Sequence, residues 1–226
     1  MNWLITGATD FKGAWLAAYL VARGEKIVGL CGGVRRRNSI LFDSLYHDID
    51  APSFDFDICD SDKLAAVISS TRPDCIIHLA GQALVSESVA DPVGTFATNV
   101  VGTVSLLNAI KDLDDRIAVV CITSDKCYHN KEWPWPYRED DQLGGKDNYS
   151  ASKACAELAA HSMTQSFSVV ESNVAVGTAR AGNVIGGGDF SINRLIPDFI
   201  RHLDIDKPLI VRRPNATRPW QHVLEP

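Results

Sequence analysis

Short apolar runs that end in glycine or polar turns alternate along this chain with longer stretches of helical period, as in repeated βαβ units. Residues 3–6 predict a strand that stops at Gly7, and residues 14–23 a helix closed by Gly24, where a left-handed cap is wanted. A second strand is expected at 26–30, followed by Gly32, Gly33 and a polar loop. A third is expected at 54–57, with a helix over 62–70 after it. Residues 74–79 read as a buried strand and 92–111 as one long helix. Residues 117–123 are apolar on both faces, as the central strand of a doubly covered parallel sheet must be. A proline- and charge-rich loop over 130–146 leads into a helix over 148–166, whose apolar stripe is Ala151, Ala154, Cys155, Leu158 and Ala159. Residues 174–181 close the sheet. Beyond them the pattern changes to Gly186-Gly-Gly-Asp189, a helix near 195–202 and a proline-rich tail. The expected fold class is α/β, a doubly wound parallel (Rossmann) sheet over 1–181, with residues 182–226 opening a second region.

Composition narrows the chemistry only a little. A chain of 226 residues, 46% hydrophobic and 22% charged, is long enough to bury a core without disulfides or metal. Its net charge of −6 argues against nucleic acid as the main partner, and the one dense basic run is Arg35-Arg36-Arg37. The six cysteines show no C-x-x-C spacing and most lie in apolar runs, which suits free thiols in a reducing compartment. The histidines show no zinc-ligand spacing, so no metal is expected. No secretory signal is visible at the N-terminus, and no run is read as approaching the ~20 apolar residues of a membrane span. A cytoplasmic protein is expected.

The first candidate chemistry lies between the first strand and its helix, in Gly7-Ala-Thr9-Asp10-Phe11-Lys12-Gly13. Glycines there let the backbone approach a dinucleotide pyrophosphate on the helix N-terminus. The middle glycine of a G-x-x-G-x-x-G spacing is Asp10 here, a carboxylate facing the region where phosphate would lie. A plain βα turn is the alternative. At the end of the second strand, where NAD enzymes carry an acid for the adenosine ribose, stands Cys31-Gly-Gly-Val-Arg35. The arginines suit a 2′-phosphate, hence NADP, or a solvated loop. Asp57 and Ile58, at the end of the third strand, fit an adenine-contacting position.

Tyr149 and Lys153 are spaced i, i+4 and project from one helix face. A lysine ammonium there lowers a phenol pKa, as a base for a hydroxyl proton requires. A Y-x-x-x-K alone is common by chance. It gains weight from Ser124, which follows the central strand where such sheets bind ligands. Asp125 and Lys126 place an acid and an amine at the same strand end; a salt-linked turn is the other reading.

Together Ser124, Tyr149 and Lys153 resemble the triad of the short-chain dehydrogenase/reductase superfamily. Phe11-Lys-Gly-Ala-Trp15, His78-Leu79-Ala80-Gly81-Gln82, Thr98-Asn-Val100 and Tyr149-Ser-Ala-Ser-Lys153 resemble its CDP-glucose 4,6-dehydratase family. So do the longer and more specific Arg180-Ala-Gly-Asn-Val-Ile-Gly-Gly-Gly-Asp189 and Arg218-Pro-Trp-Gln-His-Val-Leu-Glu-Pro226. The resemblance implies NAD ahead of NADP, held by residues 7–13, Asp57, Ile58, Leu79, Ala80, Gly81 and Thr98, together with Tyr149 and Lys153. It implies a CDP-sugar substrate bordered by Gln82 and Ser86, with Asn183, Arg194 and Arg218 in the nucleotide-diphosphate pocket. It further implies a redox-neutral dehydration. Tyr149 takes the C4-hydroxyl proton, Lys126 the C5 proton, and Asp125 protonates the departing C6 hydroxyl. A homodimer through the 92–111 and 148–166 helices is usual in the superfamily. Residues 182–226 then correspond to an incomplete, truncated substrate-binding region. Another nucleotide-sugar epimerase or dehydratase, or an impaired binding remnant, remain as alternatives.

Overall fold

The computed structural model describes residues 1–32, 41, 44, 52–169, 173–205, 208–212 and 214–226. The Arg35–Arg37 run, and with it the reading toward a 2′-phosphate, lies outside the described residues. Six parallel strands form the main sheet: β1 (Asn2–Thr6), β2 (Lys26–Cys31), β3 (Ser53–Asp55), β4 (Cys75–His78), β5 (Ile117–Ile122) and β6 (Val174–Ala179). Their order is β3-β2-β1-β4-β5-β6. The chain starts in the middle, builds outward to β3, and returns to place β4 on the other side of β1. That reversal opens a crevice at the strand carboxyl ends, where open α/β sheets bind ligands.

Both faces of the sheet are covered, as the apolar strands predict. Leu4 and Ile5 are adjacent and fully buried, yet they belong to different clusters on opposite faces. Leu4 joins Leu30, Leu64, Ile76, Leu106 and Val119, while Ile5 joins Ala17, Leu20 and Ile27. Each such burial is worth about 1.5–3 kcal/mol.

The helices are α1 (Phe11–Ala22), α2 (Ser61–Thr71), α3 (Val85–Ala90), α4 (Pro92–Phe96), α5 (Gly102–Ile110), α6 (Asn148–Val169) and α7 (Leu195–Asp204). Gly24 follows α1 at φ 76°, the cap the sequence called for. The helix expected over 92–111 is not continuous α-helix. Between α4 and α5 lies a π-helical turn, Ala97–Val101. Its Asn99 is buried and held from two sides, donating to the Gln82 carbonyl at 3.1 Å and to Ser152 Oγ at 2.8 Å. Those tertiary bonds leave no trace in a 3.6-residue period. The short α3 was also unforeseen.

The run Pro92–Ile110 is long and apolar enough by composition to cross a membrane, contrary to the reading of the sequence. It packs between α2 and α6 and turns buried polar groups inward. Thr103 Oγ1 lies 3.1 Å from His78 Nε2, and Asn99 bonds as above. These are the contacts of a core helix in a layered domain. His78 itself bridges Thr103 and Thr6 (Nδ1 to Oγ1, 2.8 Å), and burial lowers its pKa to about 3, so the ring is neutral.

β6 ends at Ala179, two residues before the expected end, and β3 ends at Asp55, so Asp57 and Ile58 lie past that strand. After β6 the backbone forms a separate two-stranded parallel sheet, β7 (Asn183–Ile185) with β8 (Trp220–His222), which the sequence pattern did not announce. It is fastened to α1: Trp15 Nε1 donates to the Gly187 carbonyl at 2.9 Å, and the Trp15 and His222 rings meet edge-on at 5.9 Å.

Candidate active site

The glycine turn lies across the ends of β1 and β2. Gly7 and Ala8 both donate backbone N–H to the Leu30 carbonyl, at 2.8 and 3.3 Å. Gly7 has φ 73°, and a Cβ there would stand 2.8 Å from Ala80 N; at Gly13 one would stand 2.1 Å from the Gly7 carbonyl oxygen. No side chain fits at either place. Ala80 N is tied in turn to Thr6 Oγ1 at 3.1 Å, and Leu79 N to the Thr6 carbonyl at 3.1 Å. The turn, the end of β4 and Gly81 thus line one cradle, at whose far side a Cβ on Gly81 would meet Lys153 Nζ at 3.0 Å.

Helix α1 opens into that cradle with no acidic residue in its first turn, and Asp10, its N-cap, makes no side-chain capping bond. The amides of the first turn are therefore available to an anion, which is what a pyrophosphate needs. The Asp10 charge is felt at Cys31, at the β2 end, where burial first and the Asp55 and Asp10 carboxylates next push the thiol up. Phe11 is buried; Thr9 and Lys12 are half-buried. Thr98 is half-buried in the π-turn, and Ile58 packs where a Cβ on Gly102 would meet it at 2.6 Å. Asp57 caps its own turn, accepting from Cys59 N at 2.9 Å.

The strand end of β5 carries the second half of the site. Ser124 caps a 3-10 turn, Asp125–Cys127, accepting from Lys126 N at 3.3 Å and donating to Asp125 Oδ1 at 3.1 Å. Asp125 N is fixed to the Ala181 carbonyl at 3.0 Å. Helix α6 starts beneath this turn because Asp147 caps it, accepting from Ser150 N and Oγ at 2.9 and 2.8 Å. Its first turn brings Tyr149 toward Ser124, whose hydroxyl pulls the phenol pKa down. Lys126 Nζ stands 5.8 Å from the centre of the Tyr149 ring. Ser124, Asp125 and Lys126 thus lie at the β5 end, over the helix that carries Tyr149 and Lys153.

The electrostatics differ from the expectation in one respect. Burial raises the Tyr149 phenol, against the Ser124 hydrogen bond and the Arg194 charge, which pull it down. Lys153, 7% exposed, is itself depressed to about 8, by burial first and the Lys12 charge second. At about 8 the lysine still carries its proton for the most part at about pH 7, but its proton is held far less tightly than an exposed lysine's. Lys12 is lowered as well, by burial and by Arg194, with Asp125 acting the other way. Lys12, Lys153, Arg194 and Asp125 are thus close enough for their charges to act on one another.

Arg194 is anchored to Asp189 at 3.0 Å and its charge reaches Tyr149 and Lys12, so it faces the site. Asn183 lies half-buried in β7, with its N–H on the Pro219 carbonyl at 3.1 Å. Arg218 is exposed and bonds the Thr217 carbonyl. Ser86 is on the exposed surface of α3, and Ser88 is the residue of that helix that is buried. Gln82 is buried, and its amide donates to Leu84 O and Thr95 Oγ1 at 3.0 and 2.9 Å. It thereby holds the loop that follows β4. The ion pair of Glu157 with Arg180, beside the β5 turn, was not singled out in the sequence. Its signal was a carboxylate four residues after Lys153, on the same inward helix face.

A doubly covered parallel sheet, a glycine cradle at its switch point and a Ser-Tyr-Lys constellation at the strand ends define a dinucleotide-binding protein of the short-chain dehydrogenase/reductase class. The family described as GDP-mannose 4,6 dehydratase matches residues 4–225, and the chain belongs to that family. It is 43% identical over 226 residues to CDP-glucose 4,6-dehydratase of Salmonella typhimurium, covering 98% of this chain and 63% of that protein. The chain thus spans under two thirds of this relative's length. UDP-glucose 4-epimerase of Mycolicibacterium smegmatis is 33% identical over 70% of this chain and 50% of its own. Among solved structures, a double mutant of dTDP-glucose 4,6-dehydratase from Streptomyces venezuelae, with NAD bound, superposes with a TM-score of 0.86 at 25% identity. The match covers all of this chain and 69% of that one.

Proposed function

We propose that this chain carries the cofactor and catalytic half of a CDP-glucose 4,6-dehydratase, converting CDP-glucose to CDP-4-keto-6-deoxyglucose. The observation that carries this reading is the Ser124–Asp125–Lys126 turn closed over Tyr149. It supplies an acid, an amine and a phenol at one strand end, where an epimerase needs only the phenol and its partners. Residues 182–226 are the beginning of the substrate-binding region.

NAD would fit the cradle, with the backbone of residues 7–13 holding its pyrophosphate; Asp57 and Ile58 would serve its adenine end, and Leu79 to Gly81, Thr98 and Lys153 its nicotinamide end. When bound it supplies the transient hydride store that keeps the cycle redox-neutral, and the cationic ring that the raised Tyr149 phenol needs to become a base. Ser124 orients the C4 hydroxyl and Tyr149 accepts its proton. Lys126 takes the C5 proton once C4 is a ketone, and Asp125 protonates the hydroxyl leaving C6. Arg194, with Asn183 and Arg218, binds the diphosphate, while Gln82 and Ser86 bound the sugar. The six free cysteines fit a cytoplasmic protein.

Asp125→Asn tests the assignment. It keeps the shape and removes the proton donor, so dehydration falls by about 10²–10⁴-fold. Exchange of the C4 configuration with unaltered rate in that variant would assign the site to an epimerase instead. The protein is further read as a homodimer through α4–α6, which present Val93, Val101 and Leu158 to solvent. Sedimentation equilibrium is expected to give twice the chain mass, and Leu158→Lys to lower it; a monomer at all concentrations contradicts this.

A further inference from the structure

Glu157 lies on α6 one turn beyond Lys153, and is 4% exposed. A carboxylate this deep is stable only if every oxygen is satisfied. Oε1 accepts the Thr123 hydroxyl; Oε2 accepts Thr178 Oγ1 at 2.9 Å and Arg180 Nη2 at 2.9 Å. Burial alone would raise this carboxyl, but those hydrogen bonds outweigh it and the group is held below the ordinary range, hence ionised. Arg180 is committed in the same way. Its Nη1 donates to Tyr128 OH and to the Glu139 carbonyl, both at 2.9 Å, and the guanidinium lies 4.8 Å over the Tyr128 ring.

The placement of these partners matters more than their number. Thr123 is the residue before Ser124, and Tyr128 is the residue after Cys127. The ion pair thus grips the catalytic turn at both of its ends. It does so from α6, the helix that carries Tyr149 and Lys153, and from just past the end of β6.

We propose that Glu157 and Arg180 are positioning residues: a buried clamp that fixes the distance of Asp125 and Lys126 from Tyr149. They touch neither substrate nor cofactor and act through Thr123 and Tyr128. The clamp depends on the dehydratase reading only for what the turn does, not for its existence. A misplacement of about 1 Å in such a turn costs roughly a hundredfold in rate.

Thr123→Val tests it by removing the hydroxyl that joins clamp to turn and also reaches the Ala179 carbonyl. It leaves Glu157 Oε1 without that partner, so β1 and β4 serve to separate a loosened turn from a loosened fold; Thr123→Ser is the rescue. Amide hydrogen exchange is followed at Asp125 and Cys127, whose N–H groups bond Ala181 and Ser124 carbonyls, and at β1 and β4 as controls. Thr123→Val is expected to speed exchange at the turn about tenfold with β1 and β4 unchanged. It is expected to lower kcat for CDP-glucose about ten- to hundredfold, with KM and NAD affinity within about twofold. Thr123→Ser restores both. Unchanged exchange at the turn, or a rise shared equally by β1 and β4, overturns the clamp. If the unsubstituted chain shows no turnover, the exchange measurement still decides the clamp, and the lost turnover counts against the dehydratase reading alone.

Discussion

Asp10 and Lys153 are the two residues whose surroundings alter the expected chemistry most. Asp10 stands where a glycine would let phosphate lie against bare backbone, and its charge acts toward the β2 end at Cys31. A carboxylate within a few ångströms of a pyrophosphate is repulsive even in a well-screened crevice. Asp10→Gly is therefore expected to tighten NAD binding by about tenfold, read by isothermal titration calorimetry. Equal or weaker affinity in that variant would show that the carboxylate is harmless or useful where it stands. Lys153, with a pKa near 8, is mostly ammonium at neutrality and passes to the amine as pH rises through about 8. Its folded value lies below its unfolded one, so its burial costs stability at low pH, and that cost is relieved as pH rises through about 8 toward about 10.5. The Asp10 carboxylate could be read from the glycine spacing, but its reach to Cys31 and the Lys153 depression could not. Both come from which groups the fold brings together, and in Lys153 the burial that makes a site also weakens its cation.

Among the elements, β1, β4 and the α5 helix are knitted by a single neutral histidine. His78 holds Thr6 and Thr103 together with no room for a second ring proton. Its pKa falls from about 6.5 unfolded to about 3 folded, so the unfolded chain binds a proton that the folded chain refuses. Stability is then expected to fall by up to about 1.4 kcal/mol per pH unit as pH drops below about 6.5. Urea denaturation across roughly pH 4–7 measures this, and His78→Gln should flatten the slope; an identical slope in the variant would remove His78 as its cause. Element by element, the pattern of apolar runs was enough to locate β1 to β6 and helices α1, α2, α6 and α7, because burial on two faces or on one stripe leaves a period. It missed what has none. The π-turn exists because Asn99 bonds Gln82 and Ser152, 17 and 53 residues away. The β7–β8 pair joins two three-residue segments on either side of α7, and no local period announces it.

At the scale of the whole molecule, the site is a meeting of three regions: the glycine cradle at the switch point, the β5 turn over α6, and Arg194 reaching in from beyond the main sheet. The five residues proposed as catalytic could be singled out in the sequence because their spacing is local, i and i+4 on one helix or adjacent on one turn. The Glu157–Arg180 pair was not, since its partners come from β5, β6 and the 130–146 loop. Dehydration at this site requires acid, amine and phenol to act in one cycle, with the cofactor returned to its starting state. That requirement separates a dehydratase from both a dehydrogenase and an epimerase of the same fold. The most direct measurement is incubation of the chain with CDP-glucose and NAD, following product mass and absorbance at the NADH band together. A dehydratase loses one water from the sugar nucleotide with no net NADH, and that is the expected result. Steady NADH accumulation with an oxidised sugar, or a change of configuration without loss of mass, would contradict it.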